Sequence, residues 1–309
     1  MSRPPSRIAI TGVTGNLGWK LLCHLVQQPE VEHVVGVALE LPTDAQLHQL
    51  SQLDGDAKTA FALADLTDHA DRRWRKAIEQ AEAVVHFAAQ NPYPEANWND
   101  AVNSLDMTLN VAGAAVTAGV GRFVFASSNH VMGRYKDAPL SEAIGPGELT
   151  TDLDHAVGTV WMAGDVPMDS TIYAVAKSSG EQACRAFALQ TGGRTEFVCT
   201  RIGWCQPGEN LPSTLSASGT PTQDSSAAGH DDEEAERADR WFKSMWLSNR
   251  DFLQIHSNAI FAGSQAWPEP CIVVNAMSQN ERMPWSLQET QNWLGYNPQD
   301  GFAFARNRS

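Results

Sequence analysis

The chain has 309 residues, longer than most single domains but within the reach of one α/β unit carrying a smaller lobe. With 42% hydrophobic and 19% charged residues it has the make-up of a globular protein with a sizeable interior, which excludes disorder except locally. A formal charge of −14 repels phosphate backbones and anionic lipid headgroups, so nucleic acid and membrane are excluded as partners; a small anionic substrate would need a cation of its own.

Met1 to Arg7 is polar and proline-containing and runs into an apolar stretch too short for a secretory segment or a membrane span, which places the expected location in the cytoplasm. Ile8 to Thr11 reads as the first strand. Leu17, Leu21, Leu22, Leu25 and Val26 then recur at helical spacing until Pro29. Between strand and helix lies Gly12-Val13-Thr14-Gly15-Asn16-Leu17-Gly18. In that setting one glycine permits the tight turn, one admits a pyrophosphate close to the backbone and one lets helix and strand pack, while the helix N-terminus favours the anion. Gly12, Gly15, Asn16, Leu17 and Gly18 are therefore the expected cofactor cradle; a plain structural turn is the alternative.

The second strand, Val34 to Ala38, ends without the acid that hydrogen-bonds an adenosine ribose, since Glu40 lies two residues further on. No Arg or Lys marks a 2′-phosphate pocket either, so NAD and NADP both stay open, with NAD first. Asp65-Leu66 stands where the loop after the third strand could meet the adenine amino group, or Asp65 caps a turn. Val84 to Phe87 and Arg122 to Ser127 are further strands, separated by a helix over 99–118 with a Gly119 stop. At the end of the latter stand Ser127-Ser128-Asn129-His130, on the sheet edge where such folds bind ligands. His130 has no partner at metal-ligand spacing and reads as a core histidine or a contact to an organic ligand; no metal is expected.

Tyr173 and Lys177 are four residues apart on a helix continuing to about Gln190, hence one turn apart on one face. A free phenol titrates near 10 and is a poor base at neutral pH, and a neighbouring ammonium favours the phenolate. Phe197 to Ile202 is a fifth strand. From Pro207 to Glu236 the apolar period vanishes in a Ser, Thr, Gly, Pro and Asp-rich stretch, expected as a long mobile loop. A helix over Arg237 to Trp246 and a Trp-rich remainder with Trp267, Trp285 and Trp293 follow, read as lobe packing. The division expected is a dinucleotide-binding core over 1–203 and a substrate lobe over 204–309, interleaved into one unit. Five cysteines without close pairing read as reduced core residues.

The glycine loop, the Ser128/Tyr173/Lys177 set and Arg201-Ile202-Gly203, in this order, resemble the extended short-chain dehydrogenases of the NAD-dependent epimerase/dehydratase superfamily over most of the chain. Within it, Phe125 to Gly133, Met245-Trp246-Leu247-Ser248 and Leu294-Gly295-Tyr296-Asn297-Pro298 look similar to bacterial uronate dehydrogenases. The resemblance implies a doubly wound Rossmann-type sheet with a small C-terminal lobe, and oxidation of a sugar's anomeric carbon to a lactone with NAD. By position it implies sugar contacts at Asn91, Ser128, Asn129, His130 and Tyr173, with the Arg201 guanidinium on the substrate carboxylate. Two departures stand out: Ala38 replaces the ribose-binding acid, and the segments 147–169 and 207–236 are long for that group. A nucleotide-sugar epimerase, or a dinucleotide-sensing regulator without catalysis, are the alternatives, and a homo-oligomer is expected from base rates.

Overall fold

The computed structural model describes residues 3–53, 55–90, 96–163, 166–215 and 233–303. Apolar runs flanked by helix-forming stretches give β1 (Arg7–Thr11), α1 (Asn16–Leu25), β2 (His33–Ala38), α2 (Asp44–Ser51), β3 (Thr59–Leu63), α3 (Arg72–Glu79), β4 (Ala83–His86), α4 (Trp98–Ala118) and β5 (Arg122–Ser128). A 3-10 stretch over Asn129–Lys136 leads to a small antiparallel ribbon, β6 (Val160–Ala163) and β7 (Val166–Asp169), before α5 (Thr171–Thr191) and β8 (Glu196–Ile202). The C-terminal part adds α6 (Glu233–Ser244), α7 (Asn249–Phe261), β9 (Cys271–Ala276) and α8 (Gln288–Leu294).

Seven strands form one sheet in the order β3-β2-β1-β4-β5-β8-β9, and every pairing in it is parallel. The order reverses between β1 and β4, so a crevice opens at their C-terminal ends, the place where doubly wound sheets take ligands. Leu21, Leu22, Leu25, Phe252 and Ile255 from α1 and α7 cover one face, joined by Trp241 and Phe242 of α6. Trp74 and Ile78 of α3, Met107 and Val111 of α4, and Cys184 and Ala188 of α5 cover the other. All five cysteines are reduced, and only Cys205 is not buried. Among the described residues no helix is long and apolar enough to cross a membrane.

The five strands read from the sequence fall within one residue at each end of β1, β2, β4, β5 and β8. Two sheet strands have no bounds in that reading. β3 lies at the sheet edge with a burial pattern that does not alternate, and β9 completes the sheet from within the stretch read as lobe. The polar segment 207–236 is structured at both ends, which corrects that part of the loop expectation. Asn210 donates to the Leu247 carbonyl at 2.6 Å and accepts from the Trp246 indole at 3.2 Å, while α6 begins at Glu233 rather than Arg237. Residues 216–232 lie outside the described residues.

Candidate active site

Gly12 sits in the left-handed region at φ +68°, and a Cβ there would stand 2.8 Å from the Ala88 amide nitrogen. Its own N–H is held by the Val37 carbonyl at 2.8 Å. A Cβ on Gly18 would drive into the Gly12 carbonyl oxygen. Gly15 is the N-cap of α1 and has no side chain to occupy the first-turn amides. The loop is thus a cradle that a methyl group would fill, opening on an uncapped helix N-terminus, and it fits a dinucleotide pyrophosphate. Gly12→Ala should abolish cofactor binding in a fluorescence titration; unchanged affinity would refute the cradle. Asn16 and Leu17 act around this loop: the Asn16 amide donates to the Cys205 carbonyl at 3.0 Å, and Leu17 packs on the core.

At the adenosine end, Leu39 follows Ala38 with 65% of its surface exposed, so no side-chain acid closes β2. One oxygen of Asp65 accepts from the Thr67 amide and hydroxyl, both at 2.8 Å, the turn-capping arrangement. Leu66 is buried, and its carbonyl accepts from Asn110 at 2.9 Å.

Tyr173, Lys177 and Glu181 lie one turn apart on the face of α5 that meets β5. Gly180 lets the two approach, because a Cβ there would lie 2.8 Å from a Phe125 ring carbon. Lys177 is buried, donates to the Ala126 carbonyl at 2.7 Å and lies 5.6 Å from the centre of the Tyr173 ring. Burial pushes its ammonium down to about 8. Burial likewise raises the Tyr173 phenol to about 12, opposed by a hydrogen bond with Ser128. The Ser128 hydroxyl also accepts from the His130 amide at 3.2 Å.

His130 approaches Tyr173 edge-on at 6.1 Å, stacks on Trp161 at 6.1 Å and meets Phe242 at 6.4 Å. Its Nδ1 lies 2.8 Å from the Thr159 hydroxyl and 2.9 Å from the Ser170 hydroxyl, and burial pulls it down to about 4. The imidazole is therefore neutral at physiological pH. No group of three potential metal ligands forms among the described residues. Asn129 donates to the Ile202 carbonyl at 2.9 Å, and its Oδ1 is buried with no hydrogen-bond partner among the described residues. Asn91 lies outside the described residues.

Arg201 does not join this group, contrary to the sequence reading. The β5–β8 register pairs Ser127 with Arg201 and Ser128 with Ile202, so Arg201 points with Ser127 toward α5. There, 1% exposed, it forms a two-pronged ion pair with Glu181 at 3.0 and 2.9 Å. Ser127 donates to the same carboxylate at 2.5 Å, and His155 lies 2.8 Å from the guanidinium. Glu181 is eight residues past Tyr173, about 12 Å along a helix axis. The guanidinium is thus held two turns below Tyr173. Glu181, Thr159 and Ser170 were not found from sequence: each lacks a motif, and only the i+8 spacing of Glu181 from Tyr173 gave a signal.

A cavity of about 1180 Å³ opens at the opposite, N-terminal edge of the sheet, lined by Arg7, Glu82, Arg122 and Glu196 among others. Those four pair with one another, Arg7 with Glu82 at 2.9 Å and Arg122 with Glu196 at 2.8 Å. It lies across the sheet from the glycine cradle and carries none of the groups just described.

The NAD dependent epimerase/dehydratase family model matches residues 8–203. An L-arabinose 1-dehydrogenase (NAD(P)(+)) of Haloferax volcanii is 30% identical over 300 residues, covering 96% of this chain and 98% of that protein. An NAD-dependent glucose-6-phosphate dehydrogenase of the same organism is 29% identical over 96% of this chain and 94% of its own length. The crystal structure of a glucuronic acid dehydrogenase from Chromohalobacter salexigens superposes with a TM-score of 0.65 at 21% identity, covering 96% of this chain and 85% of that one.

Proposed function

Because this chain belongs to the NAD dependent epimerase/dehydratase family, we propose that it is an NAD(P)-dependent sugar dehydrogenase that oxidises the anomeric carbon to a lactone, with Ser128, Tyr173 and Lys177 as catalytic residues. The observation that carries this reading is the joining of a buried Lys177, the Tyr173 phenol and the Ser128 hydroxyl at the C-terminal sheet edge, one crossover from a glycine cradle.

Gly12 and Gly15 would hold the pyrophosphate, with Gly18 letting α1 pack against the loop, and a bound dinucleotide would supply the acceptor for the C1 hydrogen and its electron pair. Ser128 hydrogen-bonds the anomeric hydroxyl beside Tyr173. The phenolate oxygen takes the hydroxyl proton as the C1–O double bond forms, so the oxygen ends carbonyl-like and Tyr173 ends protonated. Lys177, fixed by the Ala126 carbonyl, places a cation beside the ring and favours the phenolate. Residues 1–203 provide cradle and catalytic residues, and residues 204–309 add α6, whose Phe242 meets His130.

A base that burial pushes up must lose its proton before it works, so sugar oxidation should accelerate as pH rises from 6 toward 8, above which Lys177, itself pushed down to about 8, gives up the charge that favours the phenolate. Lys177→Met removes the cation and should move that rise to higher pH, read from kcat/KM profiles; a coincident profile would exclude a role for Lys177 in tuning Tyr173. The function itself is tested by NAD(P)H accumulation over a sugar panel, since an epimerase would interconvert sugars without net reduction.

A further inference from the structure

A cation beside the glycine cradle is held by neutral groups alone. Lys20 lies on α1 four residues after Asn16, so the two side chains share one face, one turn apart, and both reach the segment that follows β8. Asn16 donates to the Cys205 carbonyl at 3.0 Å. The Lys20 ammonium donates to the Gln206 carbonyl at 2.5 Å, to Asn249 Oδ1 at 2.6 Å and to the Cys205 sulfur at 3.6 Å. An ammonium has three N–H donors, and these three acceptors occupy all of them. Burial pushes the Cys205 thiol up to about 11 against the pull of Lys20, so the sulfur carries no charge at physiological pH. The charge of Lys20 is therefore not neutralised where it sits, whereas Arg7, Arg122, Arg201 and Arg250 each pair with a carboxylate.

We infer that Lys20 is a positioning residue for the dinucleotide: its charge adds to the field of the α1 N-terminus on the pyrophosphate, and its hydrogen bonds hold the 205–210 segment against the cradle. This rests on the cradle taking a dinucleotide. Lys20 stands about 6 Å along the axis from the first residue of α1, and helical side chains lean toward the N-terminus, so the ammonium lies over the turn that opens on the cradle. In a chain of net charge −14, which repels an anionic dinucleotide at long range, a cation there offsets the repulsion locally.

The acceptors are fixed in their turn. Asn249 presents its Oδ1 to Lys20 because its Nδ2 donates to the Gly208 carbonyl at 2.9 Å. Gln206 is buried, and its amide donates to Asn210 Oδ1 at 2.9 Å. Asn210 holds the left-handed conformation at φ +56°, which asparagine tolerates, and its Nδ2 donates to the Leu247 carbonyl at 2.6 Å. The segment is thus a clasp between α1 and the start of α7, and Lys20 leaves it only by breaking three bonds. Lys20 is half-buried, so solvent screens its charge in part and the expected effect is moderate.

The test is equilibrium binding, by protein fluorescence, of NAD and of ADP-ribose, which carries the same pyrophosphate without the nicotinamide, at ionic strengths from about 0.05 to about 0.5 M. Lys20→Gln keeps hydrogen-bonding groups and drops the charge. It should weaken both ligands by about tenfold at low salt, and the gap from the parent should close to about twofold at high salt, since only the charge is screened. Lys20→Arg should stay within about threefold of the parent throughout, because the charge remains. A lysine that only braced the fold would lower the melting temperature in Lys20→Gln and leave the salt dependence of binding as it is in the parent. Lys20→Gln binding as tightly as the parent at low salt, or a weakening that salt does not change, overturns the inference. NAD left unbound by the parent chain would bring down the cradle itself, and the role of Lys20 with it.

Discussion

Tyr173→Phe is expected to bind NAD(P) as the parent chain does and to oxidise sugar roughly a thousandfold more slowly, the middle of the range for loss of a positioned general base. Removing one oxygen leaves the ring that packs against His130 at 6.1 Å and lies over Lys177, so the fold should not change. What disappears is the proton acceptor and the partner of Ser128. Ser128→Ala should cost less, because the base remains and only the orientation of the reacting hydroxyl is lost. Single-turnover kinetics with cofactor pre-bound isolate the chemical step; a Tyr173→Phe variant within about tenfold of the parent would reject Tyr173 as the base.

The parts of this molecule legible in the sequence are those that local rules specify. The glycine spacing announces itself because a positive φ at Gly12 and the Gly18 contact admit no side chain, and the Tyr173/Lys177 pair because four residues make one helical turn. The bounds of β3 and the presence of β9 were not legible: Thr59 to Leu63 shows no two-residue period at a half-covered edge, and Cys271 to Ala276 pairs with β8 only after some seventy intervening residues. Arg201 was misread for a related reason. Its position at the end of β8 is plain in the sequence, but the direction of its side chain is decided by strand register against β5 and by an acid two turns along α5. Asp65 lay open between two roles, and the described geometry has it capping its own turn. Pairings between distant elements leave no short-range signal.

That same buried pair carries the second large effect. Glu181→Leu should destabilise the chain by about 3–5 kcal/mol, because Arg201 would keep its charge without its partner. Arg201 is 1% exposed and its Nη1 already lacks a partner among the described residues, so the variant leaves a buried guanidinium without its counter-charge. At about 2–4 °C per kcal/mol for a chain of this class, the melting temperature should fall by on the order of 10 °C. Glu181→Leu combined with Arg201→Met should recover most of that loss, since two apolar groups replace two charges; a double variant as unstable as the single would show that the pair is not the cause. Acid gives an independent reading. The Glu181 carboxyl is held down at about 2, with hydrogen bonds from His155 and Arg201 and the Arg201 charge outweighing the effect of burial. Its contribution is present above its ordinary value near 4.5 and is lost as pH falls toward 2. The parent should therefore lose stability across that window more steeply than the double variant, which lacks the carboxylate. Because Glu181 also ties α5 to Ser127, one residue before Ser128, the single variant should lower kcat at temperatures where it is still folded, through a shift of Tyr173 and Lys177 relative to β5.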